Sequence, residues 1–184
     1  MEEHLGSDTV RFLPPVYADE FRSKSYGRVK DWCIVGNMTF LKRCEWAIEV
    51  FRQLPDFSLT IYGNLPSGYA ENSLPENVVF GGSVKTIQYN KHEGYISCSM
   101  SECFANSAVE ASSNGLVCLL SDVDLAHKYY GSLCSSTRLF NSKEELLALL
   151  KGYSHSEEGF NSSTFAKNYT YSEVLPLYKE VLSL

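Results

Sequence analysis

No stretch of this sequence approaches the roughly 20 consecutive apolar residues that a membrane-spanning helix needs. The opening MEEHLGSDTV is acidic and polar where a secretory leader would be basic and then apolar. No transmembrane segment is expected, and the compartment these features imply is the cytoplasm. Positive charge is scarce: 16 Lys and Arg stand against 22 Asp and Glu, a net charge of −6. Without a broad basic surface, nucleic acid is excluded as the main partner, although a local site for an anionic small molecule stays open. Metal-ligand spacing is missing too. The six cysteines (Cys33, Cys44, Cys98, Cys103, Cys118, Cys134) include no Cys-x-x-Cys pair and no Cys/His cluster, so no metal site is expected. Cys33, Cys98 and Cys118 fall inside apolar runs, where cysteine acts as a small hydrophobe. His4, His92, His127 and His155 have no ligand type nearby and read as surface residues. There is no Walker loop, no Gly-x-Gly-x-x-Gly, no internal repeat and no low-complexity tract. The letters NMT, NSS and NYT match glycosylation acceptors by chance in an unsecreted chain.

What is present is an alternation. Residues 1–30 read as an extended arm, with two prolines in LPPVYADEF and a loop at SKSYGRVK. Strands are predicted at DWCIVGN (31–37), FSLTIYGN (57–64), ENVVFGG (76–82), GYISCS (94–99) and LVCLLSD (116–122), with a sixth within 132–140. Helices are predicted at 42–54, 84–92 and 107–115, the last closed by Gly115, and at 142–153, where Ser142 and Glu145 have capping-box spacing. The segment 157–184 reads as one or two closing helices broken near Tyr171 and Ser172. Near-continuous apolar strands alternating with helices predict a parallel sheet covered on both faces, a single Rossmann-like doubly wound α/β domain over 31–156. Such sheets bind ligands beyond the carboxyl ends of their strands, so the loops after Gly36, Gly63, Gly82, Ser99 and Ser121 are the ones that matter.

Two of these loops carry chemistry. In Gly36–Arg43, a strand-end glycine is followed by Lys42 and Arg43 at a helix start, where exposed amides favour anions. The two cations neutralise a diphosphate or are solvated surface charges. In SECFANSAVE (101–110), Glu102 and Glu110 flank a small-residue bend. Ser99/Glu102 and Ser107/Glu110 both have capping-box spacing. The alternative is a clamp in which carboxylates accept hydrogen bonds from sugar hydroxyls and the amides of Phe104, Ala105, Asn106 and Ser107 meet phosphate. Asp122-Val-Asp124 has the letters of a magnesium pair but reads as an acidic loop.

Four blocks in order, IVGNMTFLKR, LPDFSLTIYGN, ENVVFGGSV and SECFANSAVEASSNGLVCLLSDV, resemble the C-terminal, donor-binding domain of retaining glycosyltransferases of the GT-B fold, family-4-like, over about 35–123. Glu102 and Glu110 have the family's Glu-x7-Glu spacing. The resemblance implies one half of a GT-B fold that binds a UDP-, GDP- or ADP-sugar, with no cofactor and no metal. It implies that Lys42 binds the diphosphate, with Gly36 and Gly63 in the adjoining loops. Glu102 orients the transferred hexose, and Cys103 to Ser107 line sugar and phosphate. Glu110 holds the ribose, and Gly82, Ser83, Val84 and Ile87 cradle the base. The chain departs from the pattern at Asn37, where the family often has Arg, at Arg43 after the lysine and at Cys103 after the first glutamate, where it usually has Gly.

Residues 1–30 do not supply the family's acceptor-binding half. The resemblance therefore implies a fragment or a split-enzyme subunit partnered by an N-terminal domain or a separate chain, peripheral to a membrane in the full enzyme. Two other readings remain: a non-catalytic interaction subunit that keeps the fold, and a sugar-nucleotide epimerase-like domain.

Overall fold

The computed structural model describes residues 30–66, 73–123, 125–134, 136–153 and 171–182. Expectations for the arm, for 154–170 and for Asp124 lie outside them. Six strands, β1 (Asp31–Val35), β2 (Ser58–Tyr62), β3 (Val78–Gly82), β4 (Gly94–Ser97), β5 (Val117–Ser121) and β6 (Thr137–Phe140), form one sheet in the order β3-β2-β1-β4-β5-β6. Every pairing is parallel. This is the doubly wound order, and it reverses direction between β1 and β4.

Side-chain alternation along each strand feeds two cores. Trp32 and Ile34 of β1, Leu59 and Ile61 of β2, Ile96 of β4, Val117 and Leu119 of β5 and Phe140 of β6 join helices α1 (Cys44–Phe51) and α4 (Lys143–Gly152) on one face. Cys33, Tyr95, Cys118 and Leu120 face the other side, with α2 (Asn106–Ser113) and α3 (Leu125–Leu133). A last helix, α5 (Tyr171–Leu182), begins where the sequence suggested a break and buries Val174.

The helix ends follow local chemistry. Ser142 caps α4 by accepting from Glu145 N at 3.2 Å, and Glu145 reaches back to Asn141 N at 2.7 Å, one residue beyond the amide of the ideal box. Past α2, Gly115 N bonds Ser112 O and Leu116 N bonds Ala111 O, the paired Schellman closure around a left-handed glycine.

Two expectations need correction. Residues 84–92 do not form a helix; only a 3-10 turn at Tyr89–Lys91 is regular. The β-branched Val84, Thr86 and Ile87 are weak helix formers, and Val84 stays exposed, so no apolar stripe is buried there. Conversely, α3 has no counterpart among the helices expected from the sequence. Leu125 and Tyr129 point outward, whereas His127 and Tyr130 are buried. Gly131 fits against Leu139, which a Cβ there would meet at 3.0 Å. A helix that buries polar and small residues has no apolar period to read.

The loops after β1 and β2 meet closely. A Cβ on Gly63, at φ +147°, would lie 2.2 Å from the Gly36 carbonyl oxygen. Gly63→Ala is therefore expected to cost about 3 kcal/mol or more of unfolding free energy, seen as a lowered urea midpoint. Gly152→Ala, with nothing within 4 Å, should leave the midpoint unchanged or raised.

Candidate functional site

The strand-order reversal sends the chain after β1 to one face and the chain after β4 to the other. Their loops diverge and then are tied back together. Met100 N donates to Leu41 O at 2.8 Å. Arg43 Nε donates to Cys98 O at 2.8 Å. Lys42 Nζ pairs with Glu102 Oε1 at 2.5 Å, both side chains part-exposed. The stem of Lys42 lies over Gly36, where a Cβ would stand 3.5 Å from its Cε. Ser99 Oγ also donates to Glu102 Oε1, at 2.7 Å.

This geometry corrects the capping reading of Ser99 and Glu102: no helix begins there, and the hydroxyl meets the carboxylate directly. It also moves the start of α1. The helix opens at Cys44 with Arg43 as its N-cap residue in left-handed backbone, φ 46°. The guanidinium of Arg43 turns back toward Cys98 O and stacks over the Trp46 ring at 4.1 Å. Asn37 Oδ1 accepts from Asn64 N at 2.9 Å and from Asn64 Nδ2 at 3.1 Å, joining the β1 and β2 loops. Lys42 is thus the cation of this loop that meets a carboxylate of the β4 loop, while Arg43 and Asn37 have framework partners.

Glu110 lies two turns further on. The N-cap of α2 is Ala105, without a side-chain cap bond, so the Ser107/Glu110 capping box does not form. Instead Tyr89 OH donates to Glu110 Oε2 at 3.0 Å. Burial first, and the Glu110 carboxylate second, push the Tyr89 phenol far up, so it remains a donor. Tyr95, fully buried on the same face, hydrogen-bonds with the Ser107 side chain. Its phenol is also raised, by burial first and by the Glu102 carboxylate next. Glu102 and Glu110 therefore stand at the two ends of a pair of buried tyrosines, with Ser107 between them. Phe104 and Ser107 are half-buried, Ala105 is buried and Asn106 is exposed. After β3, Gly82 has open space where a Cβ would point, Ser83 and Val84 are exposed, and Ile87 packs against the α2 face of the sheet.

Two of the histidines expected at the surface, His92 and His127, are buried, and His4 and His155 lie outside the described residues. His92 is 4% exposed and bridges Asp31 Oδ1, 2.9 Å from Nδ1, and Tyr62 OH, 2.9 Å from Nε2. His127, 1% exposed, lies against Ser121, whose hydroxyl bonds Ser99 O at the end of β4. No spacing could have announced these contacts, because each joins residues from separate strands or loops. Among the described residues, no group of three His, Cys, Asp or Glu is placed to hold a metal ion. No helix among them is long and apolar enough to cross a membrane.

No family model and no curated protein matches the sequence. Solved structures match by fold. The GtfA/B complex aligns with a TM-score of 0.72 at 20% identity, over 93% of this chain and 39% of that one. The pneumococcal O-GlcNAc transferase GtfA, solved with UDP and GlcNAc, gives 0.71 at 19% identity, over 90% of this chain and 38% of that one. HepE of Anabaena, solved with UDP and glucose, gives 0.68 at 16% identity, over 82% and 48%. At such identities the likeness is one of fold: this chain has a Rossmann-like sheet that matches half-domains of these glycosyltransferase structures. It spans less than half the length of each of these three structures.

Among the six free cysteines, Cys103, beside Glu102, is exposed and the others are buried. Burial pushes the Cys44 thiol up to about 12 and raises Cys98 and Cys118 as well. A thiol reagent is expected to label the native protein rapidly at Cys103 alone. The fast phase should vanish in Cys103→Ser, and a fast phase that survives the substitution would contradict the arrangement.

Proposed function

We propose that this chain is the donor-binding domain of a retaining glycosyltransferase that transfers a hexose from a nucleoside-diphosphate sugar to an acceptor hydroxyl. The observation that carries the reading is the Lys42–Glu102 pair at the strand-order reversal, where doubly wound sheets take their ligands. The fold shared with solved glycosyltransferases supports it. In the reaction the bond from the anomeric carbon to the diphosphate breaks, and the acceptor oxygen bonds the same face of that carbon while its proton passes to the departing diphosphate oxygen. Negative charge grows on the leaving diphosphate. Lys42 would meet that charge together with the amides of Phe104 to Ser107 at the start of α2, so the reading assigns no step to a metal. Glu102, once Lys42 turns to phosphate, would accept hydrogen bonds from the sugar hydroxyls, and Glu110 from the ribose. Gly82, Ser83, Val84 and Ile87 would border the base. The acceptor half would come from an N-terminal domain or a separate subunit, in the cytoplasm or at the cytoplasmic face of a membrane.

A second reading, a non-catalytic binding module, is favoured by one observation: Arg43 is committed to Cys98 O and the Trp46 ring, which leaves the loop one cation poorer toward a diphosphate. Transfer assays with the acceptor half supplied separate the two, since Glu102→Gln abolishes transfer in an enzyme and alters nothing in a module.

Calorimetry with UDP, GDP and ADP tests the donor site. Saturable binding of at least one is expected. Lys42→Ala should weaken it by about ten- to a hundredfold, the worth of one charge-assisted bond. Absence of binding to all three at millimolar concentration would overturn the reading.

A further inference from the structure

The contact between Tyr89 and Glu110 has consequences for which nucleotide the site takes. Tyr89 is 5% exposed and sits in a three-residue turn outside the sheet, yet its hydroxyl is spent on Glu110 Oε2. Its own turn is fixed from behind. His92 N donates to Tyr89 O at 2.9 Å, and the His92 ring is held between Asp31 and Tyr62, on the neighbouring strands β1 and β2. On the helix side, Ser107 and Glu110 lie three residues apart, on one face of α2. Each meets a tyrosine: Ser107 bonds Tyr95 of β4, and Glu110 bonds Tyr89. Glu110 is half-buried, and among the described residues its second carboxylate oxygen accepts no hydrogen bond. One oxygen is thus committed to a rigid donor and the other is left for a ligand.

We infer that Tyr89 is a positioning residue that fixes the Glu110 carboxylate so that its second oxygen reads the 2′,3′-diol of a ribonucleoside, making the site selective for ribonucleoside over 2′-deoxyribonucleoside diphosphates. The inference rests on the donor-binding reading above. Its physical basis is preorganisation. A carboxylate free to rotate loses side-chain entropy on binding, whereas one already locked by a buried phenol does not. A diol offers two donors where the deoxy sugar offers one, and a hydrogen bond to a charged acceptor is among the stronger single contacts.

The test measures binding of UDP and 2′-deoxy-UDP to the full chain, or of the GDP or ADP pair if that binds more tightly, in wild type, Tyr89→Phe, Glu110→Ala and the double variant. Wild type is expected to prefer the ribonucleotide. Tyr89→Phe, which removes only a hydroxyl, should lower affinity for the ribonucleotide by about tenfold while leaving the deoxynucleotide within about twofold. In the Glu110→Ala background, adding Tyr89→Phe should change neither affinity, because nothing remains to be positioned. Equal weakening of both nucleotides by Tyr89→Phe would show that the bond merely pins α2, and would overturn the proposal. So would an unchanged preference. If wild type binds no nucleotide, the donor-binding reading itself fails; if it binds UDP while Glu110→Ala is harmless, the donor site stands and the role of Tyr89 falls.

Discussion

Lys42 reaching Glu102 across the gap between β1 and β4 is the contact on which the rest of the site depends. The parallel sheet reverses its order at that gap, so the chain leaves β1 toward α1 on one face and β4 toward α2 on the other. Two diverging loops would leave a cleft of undefined width. The ion pair, the Met100–Leu41 amide bond and the Arg43–Cys98 bond set that width. Of the three, the ion pair is part-exposed and built from two charges that an incoming ligand can each engage separately. The other two are framework.

The division of labour among the cations follows from backbone geometry. Arg43 occupies left-handed backbone at the N-cap of α1, which turns its side chain back along Cys98 and over Trp46. Lys42, one residue earlier, lies over Gly36 and points across the reversal. Arg and Lys differ here in the way their chemistry suggests. The planar guanidinium serves a carbonyl and a ring at once, and the flexible ammonium serves a single mobile charge partner.

Much of the fold was legible because five of the strands are apolar runs bounded by turn residues, and because the parallel pattern requires crossovers. The sixth, Thr137–Phe140, is short and carries Arg138, and it could be placed only within a wider window. The turn at 84–92 and helix α3 were not legible. In the first, Val84 and Ile87 have helical spacing without a buried stripe; in the second, burial falls on His127 and Tyr130. For the site, the spacing of Glu102 and Glu110 located the right loop, and Lys42 stood out, together with Arg43, as a charge at a helix start. Their partners did not. Tyr89 and Tyr95 lie in other segments, and only the folded sheet brings them to the acids. Two of the capping-box spacings show the opposite error: Ser99 bonds the Glu102 carboxylate itself with no helix there, and Ser107 bonds Tyr95 of strand β4.

The central claim is that Lys42, Glu102, the bend from Phe104 to Ser107 and Glu110 serve one bound nucleotide. A crystal structure of the chain grown with UDP, GDP or ADP tests it most directly. The account predicts the diphosphate within hydrogen-bonding distance of Lys42 Nζ and of the amides opening α2, with the ribose diol against Glu110. A nucleotide seated elsewhere, with the Lys42–Glu102 pair and Glu110 untouched, would contradict it.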